Sequence, residues 1–236
     1  MIRRFFVLTF LGAIILTNSF AQTSYKVNLL FNIDFPDQVT IENDKFILNG
    51  EGSYIQGVHK LFACGLYVKE KSDDPVKIIY SEDTKILELV VTTTQFQSQK
   101  TIDEIKNLHE ENKDLLKKGE ITTLISNVKN ADVALPSNFV ESVNFFEKAF
   151  DGANRGNTDD YHGYIEEFIQ LFEEKNLLED HYRLTFLGEN RVIIYKNSQK
   201  VMDVQDKAFP KALFNIFIGN DATNKRLKGN LLHTAS

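Results

Sequence analysis

The sequence predicts an α+β fold in which helices cover one face of a largely antiparallel sheet. Three observations carry this reading. Strand-like segments with turn signals between them fill the stretch up to about residue 93. Helical spacing of apolar residues then takes over from Ile102 to Phe172. Strands separated by short polar turns return after that, before a last helical pair.

Tyr25 to Phe31 and Val39 to Ile41 read as strands flanking the turn-like Phe35-Pro36-Asp37. Lys45 to Leu48 runs into Asn49-Gly50-Glu51-Gly52, where glycine lets the backbone bend or something approach closely. The apolar run Leu61 to Val68 follows, then a polar turn from Lys69 to Pro75. Lys77 to Tyr80 and Ile86 to Thr93 are predicted as two more strands, the second rich in Val and Thr.

Ile102, Ile105, Leu108 and Leu115 or Leu116 keep helical spacing, and Ile121, Leu124, Ile125 and Val128 form a second amphipathic stripe. Ser137 is placed to cap a third helix carrying Val140, Val143, Phe146 and Phe150, and Thr158 to cap a fourth carrying Tyr161, Ile165, Phe168 and Phe172. Tyr182 to Phe186, Arg191 to Tyr195 and Lys200 to Val204 predict a three-stranded meander. Phe209 to Ile218, with Pro210 tolerated only near the start and Gly219 at the end, predicts one closing helix. Thr223 to Leu232, with Asp221 as cap, predicts the other.

The N-terminus reads as an export signal. Arg3 and Arg4 precede the apolar run Phe5 to Leu16, and Ser19 and Ala21 set small residues before a cut that makes Gln22 the new N-terminus. That run is shorter than the roughly 20 residues needed to cross a bilayer, and no Cys follows it to carry a lipid. Residues 1–21 are therefore expected to be removed, with no stable membrane insertion afterwards. Residues 22–236 are expected to form one domain in the periplasm or outside the cell. Without Arg3 and Arg4 the chain holds 25 basic against 33 acidic side chains, a net charge of -8. Such an acidic chain is a poor partner for nucleic acid or anionic lipid heads.

The search for chemistry mostly excludes. His109 opens His-Glu-Glu-Asn with no second His four positions on, so a zinc-protease helix is absent and no metal is expected. The dinucleotide and P-loop glycine patterns and the Gly-x-Ser-x-Gly elbow are also missing, and no cofactor is expected. The acidic pairs from Glu110-Glu111 to Glu173-Glu174 lie on or beside helices and read as solvated faces. Cys64, the one cysteine, sits in an apolar run and reads as a packed small side chain. His59 lies an odd number of residues away, which on a regular strand places it on the other face. Less ordinary is the aromatic excess of the middle helices, Phe145-Phe146, Phe150, Tyr161, Tyr164, Phe168 and Phe172. It fits either a thick core or a cleft lined for an apolar ligand.

Two stretches resemble the chalcone isomerase-like family. Leu48-Asn49-Gly50-Glu51-Gly52 followed by Lys60 to Val68 is similar to its opening paired strands. Ala212-Leu213-Phe214-Asn215-Ile216-Phe217-Ile218-Gly219-Asn220 with Leu227 to Leu232 is similar to its closing segments. The resemblance implies an open-faced β-sandwich with a ligand cleft between sheet and helices. Its plant enzymes cyclise chalcones to flavanones, and other members bind fatty acids. Exported bacterial members have mostly been classified by fold. The enzymes use an Arg two residues after the second glycine to stabilise a phenolate.

Here that position is Tyr54, a phenol without positive charge at neutral pH, and the mature chain has no Arg before Arg155. The nearest cation is Lys60, which lacks the guanidinium's planar fork. Phe62 aligns with the enzymes' threonine, and their Tyr and Asn have no clear counterparts between Lys100 and Asn107.

The preferred reading is an exported, non-catalytic binding protein for an apolar or fatty-acyl ligand, with Tyr54, Phe62 and Tyr67 as ligand-binding candidates. An isomerase or intramolecular lyase with altered residues, Tyr54 donating to an enolate and Lys60 or a late Arg supplying charge, is the alternative. A structural or interaction module of the envelope with a packed interior is the third.

Overall fold

The computed structural model describes residues 26–27, 33–56, 59–111, 139–174 and 176–234. The export signal, the stripe at 121–128, Leu115 and Leu116, and the cap Ser137 lie outside these residues. Among those described, no helix is long and apolar enough to cross a membrane.

Seven strands make one antiparallel sheet: β3 (Gln38–Ile41), β4 (Asp44–Gln56), β5 (His59–Val68), β6 (Lys85–Val91), β9 (His181–Leu187), β10 (Arg191–Lys196) and β11 (Gln199–Gln205), in the order β11-β10-β9-β6-β5-β4-β3. Short pairs flank it. Strand β1 (Lys26–Val27) lies antiparallel to β2 (Ile33–Asp34), and β7 (Phe96–Gln97) parallel to β8 (Val140–Glu141). The predicted meander is present as β9 to β11, and β9 pairs with β6 across the long helical insertion. The α+β architecture with helices on one sheet face is the fold of this chain.

The helices are α1 (Pro75–Ile79), α2 (Gln99–Glu111), α3 (Ser142–Asn154), α4 (His162–Gln170), α5 (Phe209–Ile218) and α6 (Lys225–Leu231). Several boundaries differ from expectation. Residues 77–80 fall on helix α1 and its end, not on a strand, because Asp74 accepts the Val76 N–H at 2.8 Å and Pro75 opens the turn. Helix α3 starts at Ser142 with the Glu141 carboxylate as its cap, so Val140 belongs to a strand. Thr158 makes no capping hydrogen bond; a three-residue turn intervenes and α4 begins at His162. Asn224, not Asp221, caps α6, its side chain accepting from Leu227 N–H at 2.9 Å. Asp221 pairs with Arg155 instead.

Side-chain alternation gives the sheet two different faces. Phe62, Cys64, Leu66, Leu87, Leu89, Tyr182, Leu184 and Phe186 join the helices in the main core. Ala63, Tyr67, Ile86 and Val90 point the other way, toward a smaller core closed by Ile33 and Phe35.

Two bulges adjust this pattern. Asn49 is the extra residue of β4, and its amide is fully used: it donates to Leu231 O at 2.7 Å and Ser72 O at 3.0 Å and accepts from Ser72 N–H. Leu61 is the extra residue of β5, so Leu61 and Phe62 both enter the main core.

The bulge at Asn49 seats α6 directly on β4. A Cβ on Gly50 would lie 2.3 Å from Asn230 O, and one on Gly52 3.0 Å from Leu227 Cδ1. What approaches the Gly-x-Gly segment is the closing helix. Gly50→Ala should therefore destabilise the fold by about 3 kcal/mol and Gly52→Ala by about 1 kcal/mol. Urea unfolding midpoints check this, and a neutral Gly50→Ala would contradict the close seating of α6.

Candidate functional site

Of the four residues singled out from sequence, the fold brings two together. Tyr54 on β4 is the register partner of Phe62 on β5, with ring centroids 5.1 Å apart on the helix side of the sheet. Phe145 of α3 closes on both, its ring edge-on to Tyr54 at 4.9 Å and to Phe62 at 5.9 Å.

Tyr67 and Lys60 are elsewhere. Tyr67 lies five residues beyond Phe62 and faces the smaller core, where its hydroxyl donates to Pro36 O at 3.0 Å. It cannot line a cleft with Tyr54. Lys60 is opposite Ile55 across the Leu61 bulge, and directly opposed residues share a face, so Lys60 projects away from Tyr54. The same bulge corrects His59, which is opposite Gln56 and thus on the Tyr54 and Cys64 side. Cys64 itself is fully buried, and burial pushes its thiol well up, away from the reactive thiolate.

Most of the aromatic excess fills space. Phe96, Phe146, Phe168 and Phe172 interlock with ring separations between 4.3 and 6.2 Å, and Phe172 stacks on Tyr182 at 4.7 Å. The interior between sheet and helices is a packed core there.

Open space survives at its rim. A groove of about 400 Å³ runs between the end of β4 and α3, lined by Tyr54, Thr223, Phe145, Val140, Ala149 and Lys148, with more apolar than polar surface. Its size suits a small organic ligand. Burial holds the Tyr54 hydroxyl above the usual tyrosine range; the adjacent Thr223 hydroxyl works against this, and Cys64 adds to it. Tyr54 is thus a neutral donor at physiological pH. A second groove, about 580 Å³, is lined by Lys100, Glu104, Glu147, Glu173 and Glu174, and this acidic lining does not suit an anionic guest.

No late Arg reaches Tyr54 among the described residues. Arg155 pairs with Asp221 at 2.7 Å and Arg191 with Asp203 at 2.9 Å. Arg226 is an exposed side chain of α6, outside the groove lining. Arg183 is on the opposite sheet face, in a cluster that sequence reasoning missed. There the fully buried Glu88 accepts from Arg183 Nε at 2.8 Å and is hydrogen-bonded to His181 Nε2 at 2.7 Å. A lone Glu amid the apolar β6, directly opposite Arg183 in register, was the available signal. Among the described residues, no group of three or more His, Cys, Asp or Glu is placed to hold a metal ion.

The sequence pattern of chalcone isomerase-like proteins matches residues 28–140 and 134–233, nearly the whole chain beyond its N-terminus. This chain belongs to the chalcone isomerase-like family. The fold is similar to the crystal structure of a fatty-acid binding protein of Arabidopsis thaliana, with a TM-score of 0.50 and 14% identity over 89% of this chain and 96% of that one. Comparison with curated protein sequences gives no match. Within this chalcone isomerase-like chain Tyr54, which the resemblance aligns with the enzymes' arginine, is buried between Phe62 and Phe145.

The Glu88 cluster sets an acid dependence. Burial raises the Glu88 carboxyl, but His181 and Arg183 together outweigh it and hold it below its ordinary value of 4.5. A depressed carboxyl contributes stability above its unfolded value and loses it as pH falls through the folded one. Glu88→Gln should cost about 3 kcal/mol at neutral pH by leaving Arg183 without its buried carboxylate. The gap to the parent protein should narrow below about pH 4 as the parent protonates. Urea titrations across pH check both, and a gap constant with pH would contradict the assignment.

Proposed function

We propose that this chain is an exported, non-catalytic binding protein that takes an apolar ligand, most simply a fatty-acyl chain, in the groove between β4 and α3. One observation carries the reading. The groove wall is aromatic and aliphatic, and Tyr54 occupies the family's arginine position as a buried, neutral phenol with no guanidinium beside it among the described residues. A phenolate forming there would meet no fixed cation on β4, so the family's cyclisation loses its main electrostatic lever. Apolar contact with Phe145, Val140 and Ala149 remains as the driving force for binding. The fatty-acid binding activity named for the Arabidopsis protein of similar fold supports the ligand class. The order of basic, apolar and small residues in positions 1–21 supports export, to the periplasm or beyond.

Delipidated, refolded protein titrated with hexadecanoate should show saturable binding at one site. Asn144→Trp on the exposed side of α3, which also lines the groove, should weaken it by about tenfold by occupying the space. Unsaturable binding in the parent, or full affinity in Asn144→Trp, would contradict the site. Flavanone formation above the spontaneous rate, lost in Tyr54→Phe, would overturn the non-catalytic assignment. N-terminal sequencing of native protein should begin at Gln22, and a retained Met1 would contradict export by cleavage.

A further inference from the structure

We infer that Lys148 of α3 recognises an anionic head group on the ligand, so that the guest is an acyl carboxylate, not a neutral lipid. This rests on the binding reading above and adds which end of the ligand is charged and which residue holds it. The observations are independent of the family pattern. Lys148 lies three residues after Phe145 and seven after Glu141, so all three share the helix face turned to the groove, and all three line it. Glu141 is the acid of that lining, and its two oxygens accept the Val143 and Asn144 N–H groups at the start of α3. Its charge is committed to the helix end, where it is favoured. Lys148 forms no ion pair among the described residues and is exposed at the groove's edge.

Lys148, without an ion-pair partner among the described residues, therefore borders a mainly apolar groove, next to the Tyr54 hydroxyl, which can donate a hydrogen bond, and to Thr223, whose hydroxyl donates to Ile216 O at 3.5 Å. That is the complement of a carboxylate with an apolar tail: the chain against Phe145, Val140 and Ala149, the oxygens toward Lys148 and the Tyr54 hydroxyl. The cation comes from a helix across the groove and not from the strand. Lys60, the cation nearest in sequence, is turned to the other face by the Leu61 bulge. The larger neighbouring groove, dominated by Glu104, Glu147, Glu173 and Glu174, repels the same ligand.

The test compares hexadecanoate with hexadecanol, which differ only in the charged end, by titration calorimetry on the full mature chain. The parent should prefer the acid by about fivefold, with the preference shrinking at high salt. Lys148→Ala should abolish the preference by weakening the acid alone. Lys148→Arg should keep it, and Lys60→Ala should leave it unchanged. Lys148 is exposed, so these variants should fold, and circular dichroism confirms it. Equal binding of acid and alcohol by the parent, or an acid preference intact in Lys148→Ala, overturns the inference while leaving the binding function standing. Loss of the preference in Lys60→Ala would move the charge to the other face and also overturn it. Failure of both ligands to bind the parent removes the binding function and this inference together.

Discussion

Side-chain alternation along β4 and β5, shifted at Asn49 and again at Leu61, decides which face of the sheet each of their side chains occupies. Because Leu61 is an extra residue, Tyr54 and Phe62 meet on the helix side while Lys60 turns away with Ile55. A regular strand would have given a different division of these side chains. The same alternation continued into β6 and β9 sends Glu88, His181 and Arg183 to the far face, where the guanidinium is held by a buried carboxylate. The most buried arginine among the described residues is thereby separated from the groove by the sheet itself. That no guanidinium of the described residues faces Tyr54 is thus a consequence of topology.

The helical layer completes the site in two ways. Helix α6 rests on the side-chainless surface of Gly50 and Gly52 and is fastened by the Asn49 amide, which brings the Thr223 loop beside Tyr54. Helix α3 inserts Phe145 edge-on against both Tyr54 and Phe62, closing the core at the point where the groove begins. Phe146, one residue on, belongs to the interlocked interior with Phe168 and Phe172. Adjacent phenylalanines on one helix thus divide the labour: one packs the core and the other borders open space.

Much of the architecture was legible because it rests on local signals. The meander over 181–205 was marked by regular apolar alternation and polar turns, and the first closing helix by Pro210 and Gly219. Residues 77–80 were misread because so short an apolar group satisfies either period, while the decisive Asp74-Pro75 start signal lies just before it. Tyr54 and Phe62 were identifiable from the resemblance to the family, but Tyr67 was not separable from them without knowing the face. Lys60 and His59 were misplaced for one reason: a bulge leaves no trace in composition, and it reverses every parity argument that crosses it. Lys148 was missed because a lysine on an amphipathic helix looks solvated. The widening of the α3 apolar stripe at Phe145 was the hint that a second side of the helix was engaged.

The groove beside Tyr54 is the proposed ligand site, with its charge supplied by α3 across the cleft. A crystal structure grown with hexadecanoate is the most direct measurement of that claim. Acyl density should lie along Phe145 with the carboxylate within hydrogen-bonding distance of Lys148 Nζ and the Tyr54 hydroxyl. A chain bound on the Tyr67 side of the sheet, or a carboxylate held by Lys60, would contradict it.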